Sequence, residues 1–272
     1  MELDGRVVVV TGGTRGVGAG IADAFLRAGA TVLVCARRPP DPRAPGDAST
    51  AARSAREAAR GCAGPYFHPV DLRDPGAVEA FFALVARRYG RLDTLVNNAG
   101  GTPYRLLADG GAARHTRVVE LNLLAPLTAS LAAYPLLKRA HGSIVMVGSV
   151  SGDRPSPGTA AYGAAKAGLA SLARSMAVEW APEIRVNTLV LGMVRTELSF
   201  LHYGDEEGVA AVGRTVPLGR LAEPSDVGGA ALFLASPGAA YISGAALHLH
   251  GGGERPAFLD AATAHRQQGE PS

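Results

Sequence analysis

Short, unbroken apolar runs recur along this chain, separated by longer segments whose apolar residues return every three to four positions. The runs occupy residues 6–11, 31–35, 93–97, 143–148, 184–190 and 246–249. Helical periodicity marks residues 16–29, 75–89, 106–139, 160–180 and 224–234. Runs that are apolar throughout, rather than alternating, predict strands buried on both faces. Their alternation with helices predicts an α/β fold, a doubly wound parallel sheet in a single domain with helices on both faces and right-handed crossovers. Two stretches break the rhythm. Residues 39–49 hold four prolines and predict an exposed irregular loop. Residues 254–272 lack an apolar period, so the domain is expected over 1–253 with a C-terminal tail after it.

With 272 residues, 47% of them hydrophobic, the chain can build one substantial core. A net charge of +3 without a dense Lys/Arg stripe argues against nucleic acid as a partner. The two cysteines, Cys35 and Cys62, have neither metal-ligand spacing nor a disulfide framework, so no metal is expected and a reduced cytoplasm is the default. The N-terminus lacks the features of a signal peptide, and no uninterrupted apolar stretch is long enough to span a bilayer. The expectation is a cytoplasmic protein with no membrane partner.

The first run leads into Thr11-Gly12-Gly13-Thr14-Arg15-Gly16-Val17-Gly18, and a helix follows. Glycines at 12, 16 and 18 allow a tight turn and close approach to a pyrophosphate, while the helix N-terminus offers unpaired N–H groups. Glycine also simply makes turns; strand, turn and helix in this order favour a dinucleotide site. The second run ends at Cys35-Ala36 and continues into Arg37-Arg38. The carboxylate that would accept the ribose hydroxyls of NAD is missing. Guanidinium groups suit a 2′-phosphate instead, and Arg15 could close on it from the turn. These residues point to NADP, against the alternative that the arginines are solvated surface charges.

With the turn at 11–18, Asp71, Asn97-Asn98-Ala99-Gly100, Asn122, Ser149 and Tyr162-Gly163-Ala164-Ala165-Lys166 in this order, the chain resembles the classical short-chain dehydrogenase/reductase family from about Leu3 to Gly253. The resemblance is to 3-oxoacyl-carrier-protein reductase-like members, and it implies a Rossmann-type fold. It also implies a catalytic group of Asn122, Ser149, Tyr162 and Lys166. Hydride transfer to a ketone creates an alkoxide that needs a proton, and the reverse reaction needs a base. A free tyrosine, with a pKa of about 10, exchanges protons poorly near neutrality. Lys166 lies four residues after Tyr162, on the same helix face, and a neighbouring ammonium is expected to lower the phenol's pKa. Ser149 could donate to the substrate carbonyl. Asn122, by resemblance, would hold a water extending a proton relay from Lys166. Taken singly, each has a plainer reading: surface packing for the Tyr–Lys pair, a turn or cap for Ser149, an ordinary helix position for Asn122.

The resemblance supplies further cofactor contacts. Asp71 and Leu72 follow the third strand and would flank the adenine, although Asp71 could merely close a turn. Asn98, Ala99 and Gly100 would lie near the adenosine ribose and pyrophosphate, with Asn97 structural. Val194 and Thr196 would lie near the carboxamide, and Lys166 would hold the nicotinamide ribose together with its role beside Tyr162. The chain departs from the family in having Leu191 before Gly192, where proline is usual, and His250 before Gly251-Gly252, where aspartate is frequent. His250 reads as an interface residue and His202 as exposed loop polarity.

A substrate loop is expected over about 197–215. There Phe200, Leu201 and Tyr203 could cover a hydrophobic ketone, and Asp205-Glu206-Glu207 starts a helix. The region after Ser149, including Ser151, Gly152 and Arg154, is expected to form another wall. The sequence leaves a 3-oxoacyl thioester, a cyclic ketone and a small secondary alcohol open. The leading expectation is NADP(H)-dependent interconversion of a small-molecule ketone and a secondary alcohol. A 3-oxoacyl thioester reductase and a non-catalytic NADP(H)-sensing protein are the alternatives. By resemblance the chain forms a homodimer or homotetramer through 106–139 and 160–180.

Overall fold

The computed structural model describes residues 2–39, 64–254 and 256. Cys62 and most of the Pro-rich stretch and the C-terminal tail lie outside the described residues. Seven strands form one parallel sheet: β1 (Val7–Thr11), β2 (Thr31–Ala36), β3 (Tyr66–Pro69), β4 (Thr94–Asn97), β5 (Ser143–Ser149), β6 (Arg185–Leu191) and β7 (Ala246–Leu249). The spatial order is β3-β2-β1-β4-β5-β6-β7. Direction of winding reverses between β1 and β4, where Val8, Val9 and Val10 pair with Thr94, Leu95 and Val96. A crevice opens at such a reversal beyond the strands' carboxyl ends, and that geometry locates the site.

The side chains of β1 show why unbroken apolar runs are needed. Val7 and Val9 enter one core, with Phe81, Phe82, Leu136, Leu137 and Leu169. Val8 and Val10 enter the core on the opposite face, with Ile21, Phe25, Val227 and Leu234. Successive strand residues point to opposite faces, so a sheet covered on both sides requires both sets to be apolar. The first core is roofed by α2 (Pro75–Tyr89) and two long helices described below; the second by α1 (Gly16–Arg27) and α9 (Pro224–Ala235).

Two elements differ from expectation. β3 has no continuous apolar run: Tyr66-Phe67-His68-Pro69 is half-buried to exposed at the sheet edge, where Pro69 removes a backbone donor. The segment 106–139 is not one helix. It comprises α3 (Leu107–Gly110), α4 (Ala112–Val119), a π-helical turn (Glu120–Leu124) and α5 (Ala125–Ala140). Gly111, at φ 68°, separates α3 from α4. From Ala112 to Ala140 the run is long and apolar enough to cross a membrane by length and composition, a length the sequence reading did not credit. Here it packs Ala125, Ala129, Ala133, Leu136 and Leu137 into the core against α6 (Ala160–Glu179). The segment expected as a substrate loop folds as α7 (Phe200–Tyr203) and α8 (Glu206–Thr215), the latter capped by Asp205, whose carboxylate accepts from the Gly208 N–H.

Candidate active site

A cavity of about 450 Å³ lies at the carboxyl ends of β1, β2, β4, β5 and β6. Its floor is the glycine turn. Gly16 has φ 50°, a conformation that suits glycine. At Gly18 a Cβ would overlap the Gly12 carbonyl oxygen and lie 2.5 Å from Asn98 Nδ2, so the turn closes only without a side chain. Arg15 enters α1 in extended backbone with no side-chain cap, and the first helical turn carries no acid. Free N–H groups, the positive helix end and a bare backbone fit the pyrophosphate of a dinucleotide.

Gly12, Thr14, Arg15, Gly16, Val17, Gly18, Arg37, Asp71, Leu72, Asn98, Ala99, Gly100, Ser149, Tyr162, Lys166, Val194 and Thr196 all line this cavity. Arg38 does not: it is exposed and stands off the wall. Asn122 is buried just behind the wall. Glu197, Leu198, Leu121 and His202 join the lining without having been singled out as cofactor contacts. His202 is exposed at this rim, in keeping with loop polarity.

Several of these residues bond to protein and so position others. Thr11 Oγ1 accepts from the backbone N–H groups of Asn98 and Ala99, at 3.0 Å each. Asn98 Nδ2 donates to the carbonyls of Thr11 (2.9 Å) and Gly12 (3.2 Å), tying β4 to the glycine turn. Asn97 Nδ2 donates to Ser130 Oγ and Met146 Sδ, the structural role expected of it. Asp71 closes a turn as well as lining the cavity. Hydrogen bonds from Arg73, assisted by the field of Arg37, hold its carboxyl at about 2. Cys35 also reaches the cavity, but burial pushes its thiol up to about 12, leaving it inert.

The chemical end is set by β5, α6 and the π turn. Ser149 ends β5 and accepts from the Ser151 N–H at 3.2 Å. Tyr162 and Lys166 project from one face of α6. Lys166 is 4% exposed, its Nζ donates to the Val147 carbonyl at 2.8 Å and lies 5.5 Å from the Tyr162 ring centroid. A Cβ at Gly100 would sit 2.5 Å from Asn122 Oδ1 and 3.4 Å from Lys166 Nζ, so these groups converge.

Burial pushes the Tyr162 phenol above its ordinary 10.0, opposed by a hydrogen bond with Ser149. Burial also pulls Lys166 down to about 8, which leaves it an ammonium at neutral pH, with Nζ donating to the Val147 carbonyl. The Asn122 side chain is also already engaged. Its Nδ2 donates to the carbonyls of Gly101 and Val118, and its Oδ1 accepts from the Gly101 N–H. It therefore clamps Gly101 from the π turn.

The sequence reading made little of a second cluster. Beside Gly192, which lines both spaces, lies a cavity of about 520 Å³ bounded by Asp153, Arg154, His248, His250 and Glu254.

The family model described as Enoyl-(Acyl carrier protein) reductase matches residues 12–254. The 3-oxoacyl-(acyl-carrier-protein) reductase FabG of Vibrio cholerae is 35% identical over 254 residues, covering 93% of this chain and 98% of that protein. L-fucose dehydrogenase of Oryctolagus cuniculus is 33% identical over 256 residues, 92% of this chain and 85% of that one. Among solved structures, the Pseudomonas aeruginosa RhlG/NADP active-site complex superposes with a TM-score of 0.81 at 30% identity, over 92% of this chain and 97% of that chain. The chain belongs to the classical short-chain dehydrogenase/reductase family of oxidoreductases.

Proposed function

We propose that this protein is an NADP(H)-dependent reductase of ketones, acting in reverse as a secondary-alcohol dehydrogenase, with Tyr162 as its acid/base. The observation that carries the reading is the convergence of Ser149, Tyr162 and Lys166 on one cavity with the uncapped glycine turn. The dinucleotide supplies the hydride. Tyr162, protonated at neutral pH, gives its proton to the carbonyl oxygen as that oxygen becomes an alkoxide. The Ser149 hydroxyl donates a hydrogen bond to the same oxygen, stabilising charge as it develops. Lys166 would hold the nicotinamide ribose hydroxyls, and Val194 and Thr196 the carboxamide. Asn122 fixes Gly100 and Gly101 beside them.

The choice of NADP is supported by Arg15 and Arg37 at the cavity rim, by the missing acid after β2, and by likeness to a structure titled as an NADP complex. A 3-oxoacyl thioester remains a second substrate reading, favoured by the names of several relatives, including those of Vibrio cholerae and Escherichia coli. Self-association as a homodimer or homotetramer is supported by exposed Leu124 and Leu131 on one helical run and Val178 on α6. Sedimentation equilibrium showing monomer alone would refute that part. The catalytic reading is tested by NADPH oxidation across a panel of ketones, with NADH in parallel. Turnover with NADPH preferred is expected. NADPH binding without turnover of any ketone would instead favour a sensing protein.

A further inference from the structure

Beyond Ser149 the chain passes through a short 3-10 turn (Val150–Gly152) into Asp153 and Arg154. These two face the end of β7 and the segment after it. His248 Nε2 lies 3.2 Å from Asp153 Oδ2. Arg154 pairs with Glu254. The rings of His248 and His250 lie 5.3 Å apart, tilted 49° to each other, and the His250 imidazole has no hydrogen bond among the described residues. All five residues border the cavity of about 520 Å³, within the roughly 300–1,000 Å³ of small-molecule sites. The two cavities adjoin at Gly192, which lines both, and Val150, in the wall of the second, follows Ser149.

The chemistry of this wall selects among ligands. A wholly apolar group would contact Val150, Met193 and Pro256 but return no hydrogen bonds to two carboxylates, a guanidinium and two imidazoles. An anion meets two carboxylates against one guanidinium, so the fixed charges offer it no net attraction. Closely spaced neutral hydroxyls satisfy both needs. Each donates to Asp153 or Glu254 and accepts from Arg154 or an imidazole N–H.

We propose that this cavity binds the hydroxyl-bearing portion of a neutral polyhydroxylated substrate, a sugar or sugar-like polyol, and that His250 determines specificity for it. This rests on the proposed reaction at Ser149 and Tyr162 and names its substrate class. The reacting carbon would lie at that pair while the remaining hydroxyls fill the space beside His248 and His250.

The test uses the full chain with NADP⁺ and the eight D-aldohexoses plus L-fucose, with cyclohexanol as an apolar secondary alcohol. In this oxidation, C1 of the ring sugar gives up a hydride to NADP⁺ and its hydroxyl proton to the enzyme, yielding lactone and NADPH. At least one sugar should exceed cyclohexanol in kcat/KM by tenfold or more. His250→Leu should raise the KM for that sugar roughly tenfold, as for one or two lost hydrogen bonds, with kcat within twofold and cyclohexanol unaffected. Glu254→Gln, at an exposed position, should act in the same direction if His250→Leu fails to fold. Equal or better use of cyclohexanol, or equal losses on both substrates, would overturn the proposal. Saturation-transfer NMR of sugar binding to the Tyr162→Phe protein reads the cavity without turnover. Binding lost with His250→Leu supports the cavity even if the catalytic reading fails, and absence of sugar binding sinks it even if that reading holds.

Discussion

Replacing Lys166 with methionine should make the cofactor-free protein more stable at neutral pH while abolishing catalysis. The lysine is almost fully buried, and burial lowers its pKa from 10.5 to about 8. At about 1.4 kcal/mol per tenfold change, holding that charge inside costs the fold about 3 kcal/mol. The sign follows from proton binding. Between pH 8 and 10.5 the unfolded chain binds more protons at this site than the folded one, so stability rises with pH there. Below pH 8 the full cost is present. Methionine removes the charge with similar bulk but leaves the Val147 carbonyl without its donor, a loss of about 1 kcal/mol. The variant should therefore gain about 2 kcal/mol at pH 7, measured by urea unfolding. By pH 10 that gain should have vanished or reversed, because the wild-type ammonium is then mostly neutral when folded. A stability difference that stays constant from pH 7 to pH 10 would refute the reasoning, since only a buried titrating lysine makes it move.

Two other substitutions probe the cofactor site. Gly18→Ala forces a methyl group onto the Gly12 carbonyl and the Asn98 amide, so a loss of about 1–3 kcal/mol is expected. A thermal melt with an NADPH fluorescence titration checks it, and affinity should fall at least tenfold. Arg37→Ala removes a guanidinium from the cavity rim. NADPH binding should weaken roughly 10- to 100-fold, the worth of a charged hydrogen bond, with NADH binding unchanged by isothermal titration. Equal losses for both cofactors would assign Arg37 a merely structural role.

The sheet was legible because its buried strands leave long Val- and Leu-rich runs, and the glycine turn because its spacing is a steric requirement. β3 was not picked out from its own residues, since an edge strand needs no second apolar face and Tyr66-Phe67-His68-Pro69 presents none. The break at Gly111 and the π turn at 120–124 were hidden inside a continuous helical period. That turn gives Asn122 its reach to Gly101, which residue spacing cannot express. Arg15, Arg37 and Arg38 looked equivalent in sequence, yet only the first two border the cavity. Spacing also placed Lys166 beside Tyr162, but it could not express that burial raises the phenol and lowers the lysine. The cluster of Asp153, Arg154, His248, His250 and Glu254 draws on two chain segments about 95 residues apart, so only folding brings it together.

Single-turnover oxidation of bound NADPH by a ketone substrate, in wild type and Tyr162→Phe, asks most directly whether this phenol moves the proton. Removing one acid/base group should slow the step roughly 10²- to 10⁴-fold, while the NADPH Kd stays within about threefold because the ring and its packing are kept. A Tyr162→Phe protein that oxidises NADPH within tenfold of the wild-type rate would contradict it.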